Sequence, residues 1–252
     1  MKLPLFKSHY SIGRSILTLN KAGKSDANGS DSIIDIAKQF ELKHIYLVED
    51  GMTGFLEAHK NCKEENIDLR FGLRMTACAD MKTKDEGSRK TEHRINVFAL
   101  NSDGYFKLIK LHSCAATDGF YYYPRIDFAT IHSLWSDKNL LMAIPFYDSF
   151  LFNNSLTFQT CVPDFGKIKP FMFLEDNNLP FDYLINKQVN QYAKANDLPI
   201  IAAKSIYYKN KADFKAFVAF RCIHDRTTLD KPEQEHMSSD RFCFEALCED
   251  NR

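Results

Sequence analysis

Residues Leu198–Glu245 read LPIIAAKSIYYKNKADFKAFVAFRCIHDRTTLDKPEQEHMSSDRFCFE. The stretch opens on an uninterrupted apolar run, Pro199–Ala203, and changes to helical spacing over Lys211–Ile223. A short, fully apolar run suits a strand buried on both faces, as in a parallel sheet whose faces are covered by helices. The same alternation extends back through the chain. Strands are predicted at Leu3–Lys7, His44–Val48, Leu69–Arg74, Arg94–Ala99, Leu140–Ile144 and Pro170–Leu174. Helices are predicted from a Ser30 or Asp31 cap through Phe40, after Thr53 over Phe55, Ala58 and Cys62, from Ser102 or Asp103 through Ala116, and over Asp182–Ala195. Strand and helix alternating about seven times predict an α/β fold, a closed or nearly closed parallel barrel; pattern alone fits an open doubly wound sheet equally.

Composition narrows the function classes. The chain has 252 residues, 44% of them hydrophobic, which suits one large α/β domain over residues 1–252. Its 33 basic and 33 acidic residues cancel, so no global attraction to nucleic acid exists and any such contact must be local. The start, MKLPLFKSHYS, has no apolar run of a signal peptide, and no stretch is long enough to span a membrane. Seven widely spaced cysteines without a Cys-x-x-Cys read as reduced thiols of a cytoplasmic protein rather than as disulfides or a zinc site. There is no Gly-x-Gly-x-x-Gly, no Walker-type sequence and no local signature of a Ser or Cys nucleophile. Lys21–Gly29 and Asp80–Glu92 mix both charges and read as solvated loops rather than DNA-binding patches.

Several short motifs, in order, carry a family resemblance. In the tail these are Cys222-Ile223 and Thr228-Leu229-Asp230. In His93–Asp127, HRINVFALNSDGYFKLIKLHSCAATDGFYYYPRID, they are Asn101, Gly104, Tyr105, Leu108, Leu111, Gly119, Phe120, Pro124, Arg125 and Asp127. Lys43–Met75, KHIYLVEDGMTGFLEAHKNCKEENIDLRFGLRM, matches a turn, a helix start and a strand end of the same family. Together they resemble the PHP (polymerase and histidinol phosphatase) domain of bacterial DNA polymerase III alpha subunits, over about residues 1–245. The resemblance implies a distorted seven-stranded β/α, TIM-like barrel. It also implies, for active members, clustered metal ions at the barrel mouth that activate water against phosphoesters.

At the positions where that family carries ligands, this sequence has other residues. The opening His-x-His aligns with Leu5-Phe6-Lys7, an Asp-His pair with Glu49-Asp50, and the Glu of a Gly-x-Glu with Arg74. A ligand after the fifth strand falls in Ile144-Pro145-Phe146, a His before a Leu-Pro turn becomes Asn177, and the last Asp-x-His becomes Ser205-Ile206-Tyr207. Lys7 and Arg74 would place fixed cations where divalent ions would sit, and like charges at that range repel strongly. The expectation is therefore no catalytic residue, no metal and no cofactor, with Lys7, Arg74, Glu49 and Asp50 forming a salt-bridge cluster; the simpler alternative has Lys7 reaching solvent. His9 and His59 are the remaining candidate ligands near these positions and read as structural or exposed, as do His44, His93, His112, His132, His224 and His236. Phe120–Tyr123 reads as core or partner packing, with a stacking surface for single strands as the alternative, and Arg125 is expected to pair with Asp127.

The resemblance implies a function without chemistry of its own. The expected role is a scaffold in DNA replication that braces the polymerase core and offers a docking surface to a proofreading exonuclease. The polymerase palm would lie beyond residue 252, so the chain would be a fragment or a stand-alone product. DNA would be met only indirectly or weakly, and no membrane at all. Two alternatives are a PHP phosphoesterase or 3′–5′ exonuclease with a rebuilt metal site, and a free-standing interaction protein that mimics the polymerase domain.

Overall fold

A computed structural model describes residues 2–24, 29–231 and 239–251. Parts of two regions read above, residues 25–28 of the first polar loop and residues 232–238 of the tail with His236, lie outside the described residues. In chain order the elements are β1 (Leu3–Phe6), α1 (Ile33–Gln39), β2 (His44–Glu49), α2 (Phe55–Glu64), β3 (Asp68–Cys78), β4 (His93–Ala99) and α3 (Ser102–Thr117). They continue with β5 (Ile126–Asp127), α4 (Phe128–Leu134), β6 (Leu140–Ile144), α5 (Phe150–Leu156), β7 (Phe171–Leu174), α6 (Asp182–Ala195), β8 (Ile200–Ile206), α7 (Phe214–Asp225) and α8 (Phe244–Asp250).

The strands follow the order β2-β1-β8-β7-β6-β4-β3, and β3 pairs back with β2, which closes a seven-stranded barrel; β5 adds to β3 outside the ring. β1 is parallel to β2 and β8, and β6 is parallel to β7. β4, in contrast, runs antiparallel to both β3 and β6, with Arg74 opposite Asn96 and Asn96 opposite Ala143. This corrects the expectation of an all-parallel barrel. Continuous apolarity reports burial of both faces and carries no information on direction. Direction is set by the connection: β3 reaches β4 through the Asp80–Glu92 segment and its single 3-10 turn, Ser88–Thr91, rather than through a crossover helix.

The chain divides into two compact units. The first comprises Met1–Phe71, Glu175–Pro180 and Ala202–Arg252; the second comprises Gly72–Leu174 and Phe181–Ile201. The first is built on Phe6, Ile33, Ile34, Leu47, Ala203 and Phe217, all buried. The second buries Ile95, Val97, Leu108, Leu111, Ile131 and Met142. Each such aliphatic side chain contributes roughly 1.5–3 kcal/mol when removed from water. α3 shows how sequence sets an element: its buried residues Gly104, Leu108, Leu111 and Ala115 form one stripe, and it packs on β4. It starts at Ser102, one of the two expected positions, and is capped by Asn101, whose side chain accepts the Gly104 N–H at 2.9 Å. α1 is likewise capped by Ser32 rather than Ser30 or Asp31. The predicted helix over Lys211–Ile223 begins as a 3-10 turn, with the α-helix at Phe214–Asp225. The short helices α4, α5 and α8 were not expected; each has seven residues, less than two full turns of pattern beyond its cap.

Two features of these units generate measurable consequences. In the first unit, Asp250 at the end of α8 accepts from Lys2 at 2.9 Å and from Lys204 at 3.0 Å, and also pairs with Arg241. Lys204 is fully buried in β8. Burial alone would raise the Asp250 pKa, but the Lys2 and Lys204 hydrogen bonds outweigh it and hold the carboxyl below its usual range. Truncating Asp250 would strand a buried ammonium, whereas truncating Lys204 removes the buried charge itself. Asp250→Ala is expected to cost on the order of 3 kcal/mol in urea unfolding, and Lys204→Met distinctly less.

In the second unit, His93 lies buried between Phe128 and Phe150, its ring centroid 6.0 and 5.9 Å from theirs. Burial pushes its pKa down to about 4, only partly opposed by the Thr91 carbonyl. Between pH 6.5 and 4 the unfolded chain therefore binds a proton that the folded chain refuses, so stability is full above 6.5 and falls as pH drops through that window. Unfolding free energies measured at pH 7, 5.5 and 4.5 should show this loss, roughly 3 kcal/mol when complete, and His93→Phe should flatten it.

Candidate functional site

Of the positions where the resemblance implies metal ligands, Leu5, Arg74 and Ser205 lie inside strands, Glu49 ends β2, and Lys7, Asp50, Asn177 and Tyr207 lie past strand ends. β1 ends at Phe6, and the next residue, Lys7, is buried with its ammonium 2.8 Å from Asp50 Oδ1. Asp50 follows β2, so two parallel neighbours present the pair side by side. Glu49, the last residue of β2, is buried and takes the Ser8 N–H on Oε1 at 2.9 Å and the Ser11 hydroxyl on Oε2. The Ser11 oxygen in turn accepts the Asp50 N–H at 2.9 Å. The Ser8–Ser11 turn thus meets the buried Glu49 carboxylate with two donors, one to each oxygen.

A second carboxylate hub stands at the ends of β7 and β8. Glu175 is buried and accepts the Ser205 N–H and the Ser205 hydroxyl, both at 2.8 Å, and the Asn177 amide at 3.2 Å. Ser205 and Asn177, two of the ligand-position residues, are therefore brought together on an acid that sequence reasoning did not single out. Its signal was present: Glu175 directly follows the apolar run Phe171–Leu174, where a strand delivers a side chain to the barrel end. Leu5 is a buried core residue, and Tyr207 packs its ring against Phe217 and Phe242 at 5.8 and 5.5 Å. β8 extends to Ile206, beyond the predicted end at Ala203, so Ser205 lies within the strand and Tyr207 just past it.

Within the second unit, Arg74 of β3 pairs with Asp148 in the turn after β6. Asp148 adopts φ 60°, a left-handed backbone that Asp tolerates better than most residues, and its carbonyl accepts the Arg94 N–H at 2.8 Å. Of the four side chains expected as one cluster, Lys7 and Asp50 meet directly, Glu49 meets the serines, and Arg74 meets Asp148. His9 lies against Tyr10 with the rings tilted and their centroids 4.4 Å apart, and His59 is exposed and stacks on Phe55 at 5.5 Å. Among the described residues, no three His, Cys, Asp or Glu side chains converge as a metal site, and none of the seven cysteines forms a disulfide. No described helix is long and apolar enough to cross a membrane.

Arg125 departs from expectation. It is fully buried and pairs with Glu92 at 3.1 Å, not with Asp127. Asp127 instead caps α4 through the Thr130 N–H at 2.8 Å. Arg125 also donates to the Thr83 and Gly119 carbonyls and to the Ser88 hydroxyl, so it fastens the Asp80–Glu92 segment, expected as a solvated loop, to the body of the unit. Gly119 permits this: a Cβ there would lie 1.9 Å from the Arg125 carbonyl oxygen.

Residues 25–150 match the model of the PHP domain. The chain belongs to the PHP domain family. Relatives of this PHP chain include the DNA polymerase III subunit alpha of Aquifex aeolicus, 26% identical over 214 residues, covering 79% of this chain and 18% of that protein. The DNA polymerase III subunit alpha of Borreliella burgdorferi is 25% identical over 235 residues, covering 86% of this chain and 20% of its own length. That of Thermus aquaticus is 27% identical over 205 residues, covering 76% and 16%. The PHP chain thus spans a fifth or less of these relatives.

The hub at Glu175 sets a prediction for a PHP chain in which acids are satisfied by protein donors. Glu175→Ala removes the acceptor of half-buried Ser205 and buried Asn177, and should lower stability by roughly 2–4 kcal/mol. Ser205→Ala, which removes one of three donors, should cost about 1 kcal/mol. Manganese or a chelator should leave the melting temperature of wild type and both variants unmoved; a manganese-dependent rise in wild type that Glu175→Ala abolishes would make Glu175 a ligand instead.

Proposed function

We propose that this chain is a PHP domain of the DNA polymerase III alpha type that has exchanged metal chemistry for a structural role in DNA replication. It braces the remaining polymerase domains, in the same polypeptide or as a separate chain, and offers a docking surface to a proofreading exonuclease in the cytoplasm. The observation that carries the reading is the Lys7–Asp50 pair at the end of β1 and β2. The family resemblance expects metal ligands at both positions, and a buried ammonium bound to Asp50 opposes a divalent ion there. The donor set does not fit the family's metal centre: Glu49 and Glu175 are committed to serine and asparagine donors, and Leu5 and Tyr207 are apolar core. No hydrolytic step is therefore assigned to these residues. The similarity to alpha subunits over most of the chain supports the replication context.

Two measurements test the proposal. Chelator-free protein incubated with manganese, iron and zinc should retain less than about a tenth of an equivalent of metal and should not hydrolyse p-nitrophenyl phosphate or trim a 3′ end. The chain should also co-purify with a DNA polymerase III alpha subunit deleted of its own PHP domain. Stoichiometric metal with hydrolysis would replace the scaffold by a rebuilt phosphoesterase, and failure to bind the deleted alpha subunit would remove the bracing role.

A further inference from the structure

Two aromatic side chains of the second unit combine exposure with an unfavourable backbone. Tyr122 has φ 62° and Phe158 φ 53°; they are the aromatic members among the described non-glycine residues with positive φ. A bulky L residue is disfavoured there, and such outliers concentrate where a protein uses the side chain they present. Burial does not offset the cost, because Tyr122 is 67% and Phe158 90% exposed.

The surrounding structure holds both rings outward. The Tyr121 N–H donates to the Tyr123 carbonyl at 3.1 Å, which makes Tyr122 the apex of a tight reversal. Tyr123 is anchored below by its hydroxyl, which donates to buried Glu92. Phe158 stands on a loop clamped at each side: the Thr157 N–H donates to the Asn153 carbonyl and the Thr160 N–H to the Lys90 carbonyl, both at 2.9 Å. The Asn154 side chain bonds both the N–H and the carbonyl of Cys161. An open groove of about 500 Å³ runs here, lined by Phe158, Tyr123, Arg89 and Lys90 among others. The Arg89 guanidinium lies over the Tyr122 ring, 5.4 Å from its centroid.

Two acids, Glu86 and Glu92, line the groove beside the two cations Arg89 and Lys90. Glu92 is buried and committed to Arg125 and Tyr123. Asp80 and Asp85 accept from the Lys82 and Ser88 N–H groups of their own turns. Glu86 is exposed and lies 3.5 Å from Arg89, so it shares that guanidinium, and Lys90 is the second cation beside the rings. Exposed ring faces with adjacent cations match stacked bases joined by phosphates, a pairing that duplex DNA cannot offer because its base faces are covered.

We propose that this groove and the neighbouring Tyr122, which Arg89 joins to it, bind single-stranded nucleic acid, with bases stacked on Phe158 and Tyr122 and phosphates on Arg89 and Lys90. The site is separate from the strand-end residues and stands or falls independently of the scaffold role.

Fluorescence anisotropy with the full chain tests it, using a labelled oligothymidylate of about 12 nucleotides and a duplex of equal length at low salt. The single strand should bind at least about tenfold more tightly than the duplex. Tyr122→Gly and Phe158→Gly should each weaken binding by roughly tenfold, while the melting temperature stays level or rises because glycine accepts the left-handed backbone. Lys90→Ala should lower the salt slope of binding by about one. If a glycine variant fails to fold, Tyr122→Asn and Phe158→Asn take its place, since Asn tolerates this φ without offering a ring. No binding, equal affinity for duplex, or binding indifferent to loss of both rings overturns the proposal; a proteinaceous partner would then be the occupant.

Discussion

A buried carboxylate must be satisfied where it stands, and in this chain that constraint shapes the loops around the strand ends. Glu49 is 1% exposed, and two donors from one short turn, the Ser8 N–H and the Ser11 hydroxyl, take one oxygen each. That turn fixes the path of the chain leaving β1, and its Ser11 oxygen then receives the Asp50 N–H, which fixes the path leaving β2. Lys7 completes the arrangement by bonding the Asp50 carboxylate. Remove the acid and the turn loses the reason for its conformation; remove the serines and the acid bears a desolvation cost of several kcal/mol without compensation. The same logic governs Glu175, whose two oxygens organise Ser205 and Asn177. A divalent ion could satisfy such acids too, but then neighbouring positions would supply more ligands, not serine, asparagine, leucine and tyrosine.

The second unit solves a related problem with one arginine. Arg125 has no exposure and distributes its donors over Glu92, Ser88, Thr83 and Gly119. A segment with an even mixture of charges, by composition a solvated loop, becomes a fixed covering because a buried cation needs its carbonyls. Gly119 is required by that approach, since any side chain would collide with the Arg125 backbone. The run from Gly119 to Asp127 thus reads as one device: a close approach, an anchored tyrosine, a buried arginine and the cap of α4.

What the sequence made legible follows from which signals are local. Leu140–Ile144 and Asp182–Ala195 were read to the residue, because an apolar run between Asn139 and Pro145 and an amphipathic stripe are properties of the segment itself. The cap of α1 was misplaced by one or two residues, since Ser30, Asp31 and Ser32 compete there and the winner depends on which oxygen meets an N–H. The antiparallel direction of β4 was not legible, because burial and direction are separate facts. The partners of the charged residues were legible least. Lys7 with Asp50 joins neighbouring strands whose ends were already recognised, whereas Asp148 and Glu92 approach Arg74 and Arg125 across 74 and 33 positions of sequence. Nothing in a local window ranks one acid above another at that separation.

Net neutrality also conceals how charge is arranged. Equal totals of 33 basic and 33 acidic residues exclude a chain-wide field that would draw in a polyanion. Exposed charges, however, act over roughly one Debye length, about 8 Å at physiological salt. Within that range what matters is which groups face outward. Beside Phe158 the groove is lined by Glu86, Arg89, Lys90 and Glu92. Buried Glu92 is held by Arg125 and exposed Glu86 pairs with Arg89, while Lys90 stands exposed at the rim, so what a neutral chain offers locally depends on which charges its own fold already pairs.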